Sequence, residues 1–348
     1  MPNETLGFGL VGCGLISAFH GKAIQATPGA ALIAASDPQQ DRLDKFCAEY
    51  GCEAAPSFEA MLADERIDVI NVLTPNAMHA QFAIPALEAG KHVVIEKPPD
   101  MTLEKVDAMI AARDAARRKV AISLQVRFRK PIQAMYQAIQ DGRFGKLYYA
   151  GAHMKWFRDT SYYHMDDWRS KRDQGAGVTI QHAFHYIDLL HHLMGEAAAV
   201  EARMYNLAHP DVQLEDTLQA FIDFRSGAKG IVEASTALWP GTDIRIEVNG
   251  ENGTAIMQGE RMTTWKFREE LPGDAEMTQI GDAAVKTAAS GAADFAFTEH
   301  QYMIEDMCNA IRNDGEPWVT LEKARGSLEM ALAMYRSADE GRTVELPL

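Results

Sequence analysis

The chain has 348 residues, a formal net charge of −15 and 47% apolar residues. That length favours two domains over one, and the apolar fraction is ample for their cores. The negative charge argues against nucleic acid as a partner, because its phosphates are repelled, and against anionic membrane surfaces for the same reason. Phe8-Gly9-Leu10-Val11 reads as a short buried strand, followed by Gly12-Cys13-Gly14-Leu15-Ile16-Ser17 and a helical pattern through Ala26. A strand, a glycine turn and a helix start form the arrangement that cradles a pyrophosphate on a helix N-terminus. Gly12 permits the tight turn, Gly14 lets phosphates approach the backbone, and Ser17 stands where a third glycine often does. The overlapping series Gly7, Gly9, Gly12 fits the same spacing but lies inside the strand, and is rejected.

A second strand, 31–36, ends in Asp37, about twenty residues beyond Gly14, the spacing of a carboxylate that binds a ribose 2′-hydroxyl. Asp37 would repel a 2′-phosphate, so NAD is the expected cofactor. Arg42 nearby would blunt that preference and leaves NADP as the alternative. Asp37 can also serve as a helix N-cap. The strand at 67–73 ends in Thr74-Pro75-Asn76, and a helix carrying His79 follows to about 89. The apolar run His92-Val93-Val94-Ile95 then ends in Glu96-Lys97-Pro98-Pro99. A lysine at the carboxyl end of such a strand either faces water or reaches a ligand, because open α/β sheets bind ligands along that edge. The glycine turn at the same edge favours the ligand. A helix over 102–118 and a strand over 120–124 complete the rhythm. Alternating strands and helices predict a doubly wound parallel Rossmann sheet over residues 1–125.

After Leu124 the pattern changes. Gln125 and Arg127 follow the last strand and are placed to reach cofactor or substrate. A helix at 131–141 and a strand-like run at 146–157 lead to an aromatic loop over 158–172. Strand-like segments recur near 197–207, 215–224, 229–238, 243–249 and 253–266, separated by turn signals. Strands without intervening helices predict an α+β domain over 126–348, built on a large, mostly antiparallel open sheet. Residues 268–296 read as polar loop, and helices are expected near 297–313 and 320–341. In the helix expected at 178–194, Ala183, Ile187, Leu190 and Met194 form an apolar stripe. Gln181, His185, Asp188 and His192 form a polar one. Side chains four apart share a helix face, so Gln181 and His185 are expected to address one pocket. His182, His185, Asp188, His191 and His192 point around more than half the helix without a ligand spacing, so no metal is expected. In the loop, Arg158, Tyr163 and their aromatic neighbours suit a sugar, with His182 close by. A domain or oligomer contact is the bland alternative.

Gly12-Cys13-Gly14-Leu15-Ile16, Thr74-Pro75-Asn76 with His79, Glu96-Lys97-Pro98, and Gly175-Ala176-Gly177-Val178 through His185-Tyr186-Ile187-Asp188 together resemble the Gfo/Idh/MocA family over essentially the whole chain. The resemblance implies an NAD(P)-dependent oxidoreductase acting on a ring carbinol of a sugar, sugar derivative or cyclitol. It implies Lys97 and His185 as catalytic residues and Trp168-Arg169 near the nicotinamide end of the cofactor. It also implies a homodimer or homotetramer. The position of Gln181 usually carries a carboxylate in the family. The amide resembles that of sugar-nucleotide 3-dehydrogenases and weakens an inositol-dehydrogenase-like reading. A glycosidase that uses NAD for transient sugar oxidation, or a non-catalytic dinucleotide or sugar sensor, are the rival functions.

No basic stretch followed by an apolar core precedes the first strand, and no apolar run approaches membrane-spanning length. The four cysteines, Cys13, Cys47, Cys52 and Cys308, lack zinc-ribbon spacing and read as reduced thiols, so a cytoplasmic protein is expected.

Overall fold

The computed structural model describes residues 5–175, 177–281 and 296–348. Its first compact unit is Met1–Gln125 with Ala296–Arg325, and its second is Val126–Phe295 with Gly326–Leu348. In the first unit, β1 (Leu6–Val11), β2 (Ala30–Ser36), β3 (Glu53–Ala54), β4 (Val69–Val72), β5 (His92–Ile95) and β6 (Val120–Ile122) form a parallel sheet in the order β3-β2-β1-β4-β5-β6. Every residue of β4 is buried, and Val93, Val94 and Ile95 of β5 are fully so. This is why these strands read as continuous apolar runs: helices cover both faces of a parallel sheet. Each such side chain contributes roughly 1.5–3 kcal/mol of transfer free energy. The order reverses between β1 and β4, whose carboxyl ends carry Gly12 and Thr74, the edge where doubly wound sheets bind ligands.

The helix Thr298–Arg312 belongs to this first unit, whereas the sequence expectation runs the second domain unbroken from 126 to 348. The helix packs on Ser17–Ala26, and beyond it Val319 accepts a main-chain hydrogen bond from Ile122 at 3.1 Å. Helical periodicity reveals that Met303, Ile304, Met307 and Cys308 are buried, but not what they are buried against.

In the second unit, β7 (Leu147–Lys155), β8 (Ala197–Tyr205), β9 (Thr217–Phe224), β10 (Lys229–Ser235), β11 (Arg245–Gly250), β12 (Gly253–Gln258), β13 (Arg261–Phe267) and β14 (Val344–Glu345) form one open sheet in the order β13-β12-β11-β7-β10-β9-β8-β14. Only β7 and β10 pair in parallel. Leu218, Ala220, Ile222 and Phe224 of β9 point inward, and Gln219, Phe221 and Asp223 point outward. That alternation marks a sheet with helices on one face, here Lys130–Gln140 and Phe184–Met194. The single strand expected over 253–266 is two, because the turn at Gly259-Glu260 reverses the chain. Of the polar loop expected at 268–296, residues 282–295 lie outside the described residues.

Candidate active site

The cofactor half lies in the first unit. Gly12 has φ 97°, and a Cβ there would stand 2.7 Å from the Leu73 carbonyl oxygen, so only glycine fits. At Gly14 a Cβ would meet nothing within 4 Å, which leaves an open cradle ahead of the helix Ser17–Ala26. Ser17 Oγ donates to the Gly14 carbonyl at 2.6 Å and closes the turn. Leu15 is exposed on it, while Ile16 and Cys13 pack into the core cluster beneath.

Asp37 Oδ2 accepts the Cys13 N–H at 2.7 Å, and Oδ1 accepts the Gln39 N–H at 2.7 Å. The carboxylate thus joins the end of β2 to the glycine turn and turns the chain ahead of Gln40–Tyr50. Each oxygen retains a lone pair for a hydroxyl. Arg42 lies half-buried on the first turn of that helix. Thr74 Oγ1 and Gln125 Oε1 are buried with no hydrogen-bond partner among the described residues. Such atoms call for a bound polar group. An open cradle, an acidic strand end and two orphaned polar atoms fit NAD.

Three more of the residues expected at the cofactor are buried. His79 is fully buried, with Nδ1 2.8 Å from the Pro98 carbonyl and Nε2 3.0 Å from that of Thr74. Burial pulls its pKa down, so the neutral ring donates to one of the two. It clamps two loops together. Glu96 also points inward: Oε1 lies 3.0 Å from His20 Nε2, and Oε2 accepts the Lys97 N–H at 3.1 Å. Asn76 is buried and opens the short turn Asn76–Met78. Lys97 itself is half-buried at the end of β5.

Sequence reasoning missed His20, Asn71 and His300. Their signal is a polar residue where the pattern demands an apolar one, as in Val69-Ile70-Asn71-Val72. Among the described residues, His20, Glu96 and His300 are also the group whose ligand-capable atoms all lie within 4.8 Å of one another.

The second unit holds the remaining candidates. The helix expected at 178–194 is two helices, Val178–Gln181 and Phe184–Met194. The Val178 carbonyl accepts from both His182 N–H (3.2 Å) and Ala183 N–H (2.8 Å), so one residue is inserted at the junction. An inserted residue rotates the following face, so the Gln181–His185 spacing crosses a break in the helix. Gln181 Nε2 reaches the Tyr162 hydroxyl at 3.4 Å, and His185 lies half-exposed beyond the break. Gly177, at φ 99°, starts the first piece against the Glu215 carboxylate, leaving no room for a side chain. Glu215, also missed, accepts the Thr179 N–H at 3.1 Å and the Tyr335 hydroxyl at 2.7 Å. Burial raises its pKa.

Arg127 is 1% exposed and donates to Asp188 through Nε (2.7 Å) and Nη2 (2.6 Å). Ser327 Oγ donates to the same carboxylate at 2.6 Å, and His192 stacks on Tyr136 with ring centroids 4.3 Å apart. Arg127 is therefore half of a buried ion pair, with His192 Nδ1 3.3 Å from its Nη1. Tyr163 is likewise internal. Its hydroxyl pairs with Thr236 Oγ1 at 2.7 Å, and its ring packs with His209, Val212 and Leu214.

The rest of the aromatic loop gathers around Tyr162. The Arg169 guanidinium lies 4.9 Å from the Tyr162 ring and 4.6 Å from that of Trp168, and Nη1 donates to the Tyr162 hydroxyl at 2.8 Å. Arg158 lies 5.1 Å from the Trp156 ring and 5.8 Å from that of Tyr162, and donates to the Phe157 carbonyl at 2.7 Å. His182 meets the rings of Trp156 and Tyr162 at 6.2 and 5.4 Å. Burial lowers the Arg158 pKa, which expresses the desolvation of its cation. This cluster offers flat apolar faces and two guanidinium groups, a combination suited to an anionic sugar derivative.

Residues 6–124 match an oxidoreductase family with an NAD-binding Rossmann fold, and residues 132–256 match the Gfo/Idh/MocA C-terminal domain. The chain is 32% identical to the WlbA dehydrogenase of Bordetella pertussis, solved in complex with NADH and UDP-GlcNAcA. That likeness covers 100% of this chain and 99% of that one, with a TM-score of 0.90. It is 28% identical to scyllo-inositol 2-dehydrogenase (NAD(+)) of Bacillus subtilis (strain 168), covering 97% of this chain and 95% of that one. It is 27% identical to levoglucosan dehydrogenase of Pseudarthrobacter phenanthrenivorans, covering 83% and 81%. The glycine turn, the Glu-Lys-Pro strand end and the large open sheet thus stand in a chain that belongs to the Gfo/Idh/MocA family of oxidoreductases with an NAD-binding Rossmann fold.

Proposed function

We propose that this protein oxidises a ring carbinol of a nucleotide-linked sugar acid. The observation that carries the reading is the buried Arg158 cation, 5% exposed and packed on Trp156 and Tyr162. A carboxylate on the ligand would stabilise it by charge-assisted hydrogen bonds. The amide at Gln181 and the likeness to the WlbA dehydrogenase support the same class. NAD, when bound, accepts the hydride. Lys97 hydrogen-bonds the reacting oxygen and stabilises charge on it, and His185 exchanges the proton. Initial rates with UDP-GlcNAcA, scyllo-inositol and levoglucosan test the substrate class. UDP-GlcNAcA is expected to be turned over with at least about tenfold higher kcat/KM, a discrimination of the size that one site group provides. The reading fails if scyllo-inositol is preferred, which is the outcome a cyclitol dehydrogenase would give.

Asp37 is expected to make NAD bind more tightly than NADP, with Arg42 reducing the gap. Titration of both cofactors against tryptophan fluorescence checks this, and Asp37→Ala should narrow the difference. Tighter NADP binding to the unaltered protein contradicts the assignment.

The reading includes a homodimer or homotetramer. The outward face of the second sheet supports it: Glu201, Phe221, Ile231, Gly151, Glu247 and Ile256 lie side by side across six strands, with Phe221 64% exposed. Apolar groups interspersed with the Lys155–Glu233 and Arg245–Glu247 ion pairs suit a self-complementary contact. Light scattering at micromolar concentration should give a multiple of the monomer mass, and Phe221→Asp should reduce it to the monomer. A monomer mass for the unaltered protein contradicts this.

A cytoplasmic location also belongs to the reading, and the four free thiols support it. Among the described residues no helix is long and apolar enough to cross a membrane.

A further inference from the structure

We propose that Glu96 is the positioning residue for Lys97, held in place by His20 and Asn71, and is not a cofactor contact. This rests on the reading that Lys97 carries chemistry. Glu96 directly follows β5 and is 8% exposed, with its carboxylate turned into the protein. Oε2 accepts the main-chain N–H of Lys97 at 3.1 Å, which fixes the backbone from which the lysine side chain projects.

Oε1 lies 3.0 Å from His20 Nε2. The other ring nitrogen of His20, Nδ1, is 3.0 Å from Asn71 Nδ2. An ionised carboxylate can only accept, so Nε2 carries the proton donated to Glu96, and in the neutral ring Nδ1 accepts from the Asn71 amide. Asn71 thus supports the tautomer that serves the carboxylate. Asn71 is in β4, opposite Leu10 of β1 and Val94 of β5, so the amide is held by the centre of the sheet.

His300 closes the cluster. It is 1% exposed, and its ring centroid lies 5.3 Å from that of His20. Burial pulls its pKa down to about 3, so it adds an uncharged wall. For Glu96, burial acts to raise the pKa, but the hydrogen bond from His20 and the charge of Lys97 act to lower it, and the group lies below the ordinary carboxylate range. A buried carboxylate with both oxygens engaged has one orientation, and that makes it a strut.

The strut also joins two parts of the site. His20 lies in the first turn of Ser17–Ala26, the helix whose N-terminus forms the glycine cradle. The chain Asn71–His20–Glu96–Lys97 therefore ties the helix that would hold the cofactor's phosphates to the strand end that carries the lysine. Reacting groups misplaced by about 1 Å lose rate on the order of a hundredfold, without losing ground-state binding.

The test uses the full chain with UDP-GlcNAcA or scyllo-inositol, whichever is oxidised. Glu96→Gln keeps the volume but can accept only one of the two donors. His20→Leu removes the donor to Glu96, and His20→Gln retains one. Glu96→Gln and His20→Leu should lower kcat at least about tenfold, while KM and the NADH dissociation constant stay within about threefold. His20→Gln should recover most of the lost kcat. A positioning role is overturned if Glu96→Gln and a folded His20→Leu turn over like the unaltered protein while Lys97→Ala does not. It is overturned equally if Glu96→Gln weakens NADH binding and spares kcat, which would mark a cofactor contact, or if His20→Gln is as slow as His20→Leu. A fully active Lys97→Ala would instead remove the reading of Lys97 itself.

Discussion

Replacing Lys97 by alanine lowers turnover at least about a hundredfold, the usual scale for removing one acid–base or electrostatic group. NAD binding should remain close to that of the unaltered protein. The glycine turn that forms the phosphate cradle is closed by Ser17 and Asp37. The split between binding and rate is the informative part. Loss of kcat with the cofactor dissociation constant preserved means the lysine acts on the reacting oxygen, whereas loss of both would make it a cofactor anchor. His185→Ala should show the same pattern if the ring exchanges the proton. Steady-state kinetics with a fluorescence titration of NADH measures both quantities. Unaltered rates in both variants would move the chemistry elsewhere.

The largest effect on stability is expected at Asp188. Asp188→Asn leaves the Arg127 guanidinium buried without its countercharge, a change that typically costs about 3–5 kcal/mol. Burial raises the Asp188 pKa, but Arg127 and Ser327 more than reverse this and hold the group below the ordinary carboxylate range. The folded value is therefore below the unfolded one, near about 3.9. The pair's contribution is full above that pH and is lost as the pH falls below it. Urea unfolding near neutral pH should show a lower midpoint for Asp188→Asn. Combining Arg127→Met with Asp188→Leu should restore much of it, since an apolar pair of similar volume often replaces a buried ion pair without loss. An Asp188→Asn midpoint equal to that of the unaltered protein would mean the pair contributes little.

What the sequence reveals about this molecule follows the range of the interactions involved. Gly12, Gly14 and Asp37 are legible because the turn that uses them is local, and the long spacing to Asp37 is set by one βαβ unit. Lys97 is legible because an apolar strand ends at it. Glu96 is not: its partner His20 lies 76 residues away, and no local pattern announces it. Arg127 and Tyr163 read as ligand contacts because arginine and tyrosine are common in sites. Their partners Asp188 and Thr236 lie 61 and 73 residues distant, and no local pattern announces them.

The break at His182-Ala183 is hidden for a different reason. The four-residue spacing of Gln181 and His185 is read on a continuous helix, and the extra residue shows only in the main-chain hydrogen bonds, where the His182 ring meets Trp156 and Tyr162. At the level of the fold, the continuous apolar runs of β4 and β5 and the alternation along β9 announce a parallel and an antiparallel sheet, respectively. The place of Thr298–Arg312 in the first unit rests on contacts with a helix nearly the whole chain away.

The most direct test of an NAD-dependent dehydrogenase acting through Lys97 is the stoichiometry of NADH formed to sugar consumed, with UDP-GlcNAcA and added NAD. One NADH per oxidised sugar, absent with Lys97→Ala, is the expected result. Sugar cleaved with no net NADH would indicate a glycosidase that only borrows the cofactor, and NADH bound with no sugar of the panel consumed would indicate a sensor. Either outcome would contradict it.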